Sequence, residues 1–146
     1  MIVLPFNVED ETFCINIDKV VEVIPVVRII QIAGAENYLS GLINYRGEII
    51  PVIDMSFYLR ERKSDLYLST RIIVINTTGT TIKSNYIGLL AEKLTDTLNI
   101  NQSDIKKTGI DSTDVKFLDG IIQINNQVIK HLNIDSLMLN LKEINN

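Results

Sequence analysis

His131 and Cys14 are the only imidazole and the only thiol in this chain of 146 residues. A zinc site or a nucleophile–base pair needs several such groups converging, and no cysteine lies near His131 in sequence. His131 falls inside the apolar run Val128 to Leu132, and Cys14 inside Phe13 to Ile17. Those settings predict a structural strand histidine and a small buried hydrophobe. Asp111, Asp114 and Asp119 lie close enough in sequence to gather around a cation, but they lack the ordered ligand spacing of a calcium loop and read as solvated loop acids. No Gly-rich phosphate loop, dinucleotide fingerprint or Gly-x-Ser-x-Gly elbow is present. Catalytic residues, cofactor sites and metal ligands are therefore not expected, and the chain reads as a binding module without enzymatic activity.

Recognition chemistry has a better candidate in Tyr38 to Asp54, read as strand, tight turn, strand and helix cap. Asn44 to Gly47 forms the hairpin tip, with Gly47 supplying a positive φ that a side chain would oppose. Such a tip projects Arg46 into solvent. An arginine held on a rigid turn has lost part of its conformational entropy already, and its planar fork binds carboxylates through two hydrogen bonds. Arg46 either docks on a partner in this way or pairs with a local acid. Upstream, Asp18 reads as the cap of a helix over Lys19 to Ile24, with Val20, Val23 and Ile24 on one face and Glu22 exposed on another.

The elements that position these residues are mostly strands. Runs at Ile2 to Phe6, Phe13 to Ile17, Ile29 to Ile32, Glu48 to Ile53, Arg71 to Ile75, Ile87 to Leu90 and Val128 to Leu132 are strand-length and rich in β-branched residues. Further brief helices are expected after Asp54, over Met55 to Arg60, and after Asn133, over Ile134 to Lys142. An internal echo lays Tyr38 to Met55 on Phe117 to Ile134 at a constant offset of 79 residues, matching Gly41 with Gly120 and Asp54 with Asn133. A weaker echo lays Phe13 to Ile24 on Ile87 to Leu98. The fold class expected is all-β: two small five-stranded barrels of SH3-like or OB-like type packed together, with a few short helices. Each half alone would bury too little surface to be comfortably stable. The charged, apolar-poor stretch Arg60 to Asp65 divides the domain into approximate halves 1–65 and 66–146.

Composition narrows the partners. Hydrophobic residues make up 46% and charged residues 22%, enough to build a core, and the net charge of −4 repels nucleic-acid phosphates and anionic lipid headgroups. Nucleic acid and direct membrane insertion are not expected, since no stretch approaches the roughly 20 apolar residues of a span. The first residues read as a strand, not a secretory segment, and a lone cysteine suits a reducing, cytoplasmic setting.

The ordered pieces Asp18-Lys19-Val20-Val21-Glu22-Val23-Ile24-Pro25, Gly41-Leu42-Ile43-Asn44-Tyr45-Arg46-Gly47, Pro51-Val52-Ile53-Asp54, Ile87-Gly88-Leu89-Leu90 and Leu118-Asp119-Gly120-Ile121 resemble those of CheW-like domains. The resemblance covers nearly the whole chain. It implies paired barrels around a hydrophobic junction, with strands that can cross between them. It also implies an adaptor whose partners are the cytoplasmic helical tip of a chemoreceptor and the regulatory domain of a CheA-type histidine kinase, with recruitment to receptor arrays. On this resemblance Glu22 and Arg46 are the coupling residues, Gly41 and Gly47 shape the same surface together with Asn44, and Val20, Leu42 and Ile43 are candidates for its apolar part or equally for the core. Tyr45 departs from the usual leucine, and Asn125-Asn126 stands where an Arg-Gly turn would echo the first hairpin. Rival expectations are the same fold in a gliding or pilus pathway, or a small-molecule-binding or hydrolytic barrel using Asp and Glu residues.

Overall fold

A computed structural model describes residues 1–107 and 117–141. Asp111, Asp114 and Lys142 lie outside the described residues. In chain order the elements are β1 (Ile2–Val8), β2 (Glu11–Asn16), β3 (Val20–Pro25), β4 (Leu39–Tyr45), β5 (Glu48–Asp54), α1 (Met55–Arg60), β6 (Arg71–Asn76), β7 (Tyr86–Ala91), β8 (Lys93–Leu94), β9 (Leu98–Asn99), β10 (Leu118–Ile124), β11 (Gln127–Leu132) and α2 (Ile134–Leu139). The strands form two sheets. One runs β10-β11-β2-β1-β8 with β9 also on β1, and the other β3-β6-β7-β5-β4, so each sheet draws strands from both sides of residue 65.

Three apolar clusters explain why so many runs are continuous and not alternating. Ile72 and Val74 of β6 pack inside the five-stranded sheet with Ile43, Tyr45, Ile50, Val52 and Leu90. Their neighbours Ile73 and Ile75 face the other way, into a shared junction with Phe6, Phe13, Ile15 and Leu89. Cys14 lies between Phe13 and Ile15 but packs with Val3, Ile122 and Ile129 inside the six-stranded sheet. A strand buried on both faces needs apolar residues at every position, which removes the period-two signature. Glu11 on β2 adds a polar clamp, accepting from Arg60 at the end of α1 and from Lys130 on β11. These two cations hold its carboxyl below the usual range.

The internal echo is a structural repeat. Leu39 pairs with Ile53 as Leu118 pairs with Leu132, Gly41 with Val52 as Gly120 with His131, and Tyr45 with Glu48 as Ile124 with Gln127. The weaker echo holds too: Val52 lies beside Gly88 as His131 lies beside Cys14, both in parallel pairings. Both helices are capped alike, Asp54 accepting from the Phe57 amide at 3.2 Å and Asn133 from the Ser136 amide at 3.0 Å. Asn125 and Asn126 adopt φ of 50° and 65°, like Arg46 and Gly47 at 50° and 80°. Asparagine tolerates the left-handed region, so the second hairpin makes the same two-residue turn without glycine.

Two expectations are corrected. Lys19 to Ile24 is no helix: a 3-10 turn over Ile17–Lys19 leads directly into β3. Its β-branched residues pair along β6 from Val20 with Ile75 to Pro25 with Arg71, and that long-range ladder outweighs a weak local helix signal. Ile29 to Ile32 forms only one isolated bridge, Ile30 to Leu42, because the chain crosses β4 there instead of running along it. That bridge, and its counterpart from Lys106 to Ile121, are the only backbone links across the remaining side of each sheet among the described residues. The barrels are therefore curled sheets, incompletely closed by hydrogen bonding.

Candidate protein-docking site

The β4–β5 turn and β3 meet at one polar cluster. The turn has two residues, Arg46 and Gly47, both at positive φ, which matches the right-handed twist of the flanking strands. Asn44 Oδ1 accepts the Gly47 amide at 3.1 Å and stiffens the tip. Glu22, which follows the bulge after Val20 within β3, places Oε1 3.0 Å from Arg46 Nη2. Tyr45 O–H donates to the same carboxylate oxygen. The Arg46 guanidinium also lies 5.2 Å from the Tyr45 ring centroid, and that ring meets Tyr86 edge-on at 5.3 Å.

These contacts define what the site can do. Arg46 retains 62% of its side-chain exposure, so its ion pair contributes under about 1 kcal/mol, and the guanidinium keeps free donors for a partner. Tyr45 is buried, and burial together with the Glu22 carboxylate pushes its phenol up to about 12, keeping it a neutral donor. The departure from leucine at this position thus has a consequence: the hydroxyl ties the end of β4 to β3 across the incompletely closed side of the sheet. Glu22 is half-buried and doubly engaged, not freely exposed as a helix would have placed it.

The remaining candidates separate. Asn44 faces outward, opposite Ile49, which is 51% exposed. Leu42, on the same face of β4, is half-buried and bridges Ile30, itself 48% exposed. Ile43 points inward and has no accessible surface. Val20 packs against the shared junction. Gly41 is buried where Ile30 crosses, so its role is to admit that crossing. Ile30 and Ile49 form the outward apolar strip that sequence reasoning missed. Consecutive isoleucines such as Ile49-Ile50 hide which one faces out, and only the Asn44–Ile49 pairing reveals it.

The histidine and the cysteine behave as structural residues. Cys14 is fully buried and desolvation pushes its thiol up to about 12, so it has no thiolate character. His131 is buried with Nε2 2.8 Å from Asn16 Oδ1, and desolvation lowers its pKa against the opposing pull of Asp119. A lowered folded pKa means that the unfolded chain binds the proton more readily. Stability is therefore expected to fall as pH drops through the unfolded histidine value of about 6.5 and to level off below the folded value. Thermal melts from about pH 7.5 to about pH 5 test this: His131→Gln should flatten that segment, and an unchanged slope refutes the assignment.

The described residues contain no group of three or more histidine, cysteine, aspartate or glutamate side chains placed to hold a metal ion, and no helix long and apolar enough to cross a membrane. The sequence pattern of the CheW-like domain matches residues 3–142. The chain is 29% identical over 136 residues to the chemotaxis protein CheW of Rhizobium meliloti, covering 92% of this chain and 84% of that protein. It is 24% identical over 136 residues to the chemotaxis protein CheW of Thermotoga maritima, covering 93% and 86%. The crystal structure of the scaffolding protein TtCheW from Thermoanaerobacter tengcongensis matches with a TM-score of 0.82 at 26% identity, covering 93% of this chain and 86% of that one.

Proposed function

Because the chain belongs to the CheW-like domain family, we propose that it is a non-enzymatic scaffold that couples chemoreceptors to a CheA-type histidine kinase in chemotaxis. The observation that supports this reading most is the tip of the β4–β5 hairpin, where a turn of fixed geometry, an aromatic face and one carboxylate hold an exposed arginine ready for a partner. Docking on such a site needs no bond to change in this chain. A receptor's helical tip would lay its apolar stripe on the neighbouring Leu42, Ile49 and Ile30, with Arg46 meeting an acid at the rim. The kinase regulatory domain would occupy a second surface, so that receptor state reaches the kinase through a rigid body. The working compartment on this reading is the cytoplasm.

Association measured between the purified chain, a receptor cytoplasmic fragment and the kinase regulatory domain tests the proposal. Arg46→Glu is expected to weaken receptor or kinase binding by about tenfold or more, because it places like charge where an acid should dock. Its melting temperature should move by no more than about 4 °C, since the exposed ion pair with Glu22 and the carboxylate set in its place together count for about 1 kcal/mol. Wild-type affinity for both partners would remove Arg46 from the interface. Copurification from native cells distinguishes a chemotaxis pathway from gliding or pilus motility by the receptor and kinase recovered.

A further inference from the structure

Among the described residues, the hairpins β1–β2, β4–β5 and β10–β11 turn in two residues, at Glu9-Asp10, Arg46-Gly47 and Asn125-Asn126, whereas β6 and β7 are joined by the longer stretch Thr77 to Asn85. A loop of that size loses more conformational entropy on ordering than a tight turn does, so its order needs a cause. It is held from within. The Thr77 amide donates to the Asn85 carbonyl at 2.9 Å, the Thr80 amide and hydroxyl both donate to the Thr77 carbonyl, at 3.1 and 2.6 Å, and the Thr77 hydroxyl donates to the Ser84 carbonyl. Ile82 is buried and packs into the shared junction. Lys83, next to that anchor, is exposed and has no ion pair among the described residues.

The loop rejoins the sheet beside the β4–β5 hairpin. β5 lies between β4 and β7, so Ile49 has β4 and the Ile30 crossing on one side and the end of this loop on the other. The Asn85 amide donates to Glu48 Oε1 at 3.2 Å, and Glu48 pairs with Tyr45 at the foot of the Arg46-Gly47 turn. Tyr86, the first residue after the loop, meets the Tyr45 ring. The outward apolar strip of Leu42, Ile49 and Ile30 is thus bounded by the crossing segment beyond β4 and by the β6–β7 loop at β7. Adjacent strands lie about 4.8 Å apart, so β4 and β7 are separated by about 10 Å, the width of one helix with its side chains. Of the acids at this end of the sheet, Glu22 accepts from Tyr45 and Arg46, and Glu48 from the Asn85 amide. Lys83 is left as a second cation beside the strip.

We propose that the β6–β7 loop is the second wall of the receptor-docking strip and that the Lys83 ammonium donates to a carboxylate of the receptor helix on the side away from Ile30. The inference rests on the docking reading above and adds a requirement to it. A helix lying on Leu42, Ile49 and Ile30 must carry acids on both borders of its apolar stripe, one for Arg46 and one for Lys83. Ordering of the loop by Ile82 and by its own hydrogen bonds precedes docking, so the partner does not have to supply that entropy.

Binding of the full chain to a receptor cytoplasmic fragment and, separately, to the kinase regulatory domain tests this. Lys83→Glu should weaken receptor binding about fivefold at about 0.05 M salt and less than about twofold at about 0.5 M, because the contact is exposed and screened. Lys83→Arg should stay within about twofold of wild type, and Lys93→Glu, the same charge change on the other sheet, should have no effect. Binding of the kinase regulatory domain should be unchanged in all three. A carbodiimide, which joins an amine to a carboxylate in direct contact with loss of water, should link Lys83 to a receptor aspartate or glutamate in the wild-type complex, read by mass spectrometry of the joined peptides, and that link should be missing in Lys83→Arg. Wild-type receptor affinity in Lys83→Glu, an equal loss in Lys93→Glu, or no link at Lys83 overturns the proposal. If Arg46→Glu still weakens binding in that case, the docking reading stands and only the second wall fails. If the wild-type chain binds neither partner, both fall.

Discussion

Gly41→Ala is expected to lower the thermal midpoint by on the order of 10 °C, through a destabilisation of about 3 kcal/mol. The backbone there has φ of 148°, a region that L side chains rarely adopt. An added Cβ would sit 2.6 Å from Ile29 Cγ2 and closer still to the Ile30 carbonyl oxygen, which accepts the Leu42 amide at 2.8 Å. Relief requires the crossing segment to move, and that breaks a backbone link across the open side of the sheet. Gly120→Ala should behave alike, since its Cβ would lie 2.5 Å from the Lys106 carbonyl oxygen at φ of 157°. Gly34→Ala is the control: φ is 78° with nothing within 4 Å, so only backbone strain of about 1 kcal/mol remains. Equal midpoints for Gly41→Ala and Gly34→Ala would show that the crossing does not constrain the fold.

Glu22→Lys should cost about 2 kcal/mol and about 5 °C, more than an exposed charge reversal ordinarily does. Glu22 is the acceptor for the buried Tyr45 hydroxyl and for Arg46. A lysine leaves the phenol without that acceptor and sets an ammonium beside a guanidinium. In a Tyr45→Phe background no hydroxyl is left unsatisfied, so the same substitution should cost less than about 1 kcal/mol. If Glu22→Lys melts at the wild-type temperature in both backgrounds, the hydroxyl–carboxylate contact contributes nothing. Reduced partner binding in Glu22→Lys thus mixes lost contact with loosened structure, whereas Arg46→Glu reports the contact more cleanly.

The parts of this molecule that were legible in the sequence are those set by neighbours along the chain. Asp54 and Asn133 as caps, the two-residue turn at Arg46-Gly47 and the match of Gly41 with Gly120 could all be read there, because caps and turns are satisfied within a few residues. Family membership follows from the order of those same pieces. The strand over Val20–Pro25 escaped, since Val-Val-Glu-Val-Ile fits a helix face as well as a pleat until β6, about fifty residues downstream, supplies the ladder. Tyr45 read as a departure from pattern because its reason is a carboxylate 23 residues away.

The same limit holds for the polar clusters. Residue types alone made Arg46 a docking candidate, whereas the folded chain decided that Glu22 would be its partner and that Ile43 would be interior. The hairpin turn at Asn125-Asn126 brings Asp119 near His131, whereas Asn16, the other neighbour of that ring, comes from the far end of the sequence. Pairing of β10 with β11 and of β11 with β2 brings them together. Short-range chemistry is written in adjacent residues, while the donors and acceptors that meet across strands are chosen by sheet register, which only burial of the whole core selects.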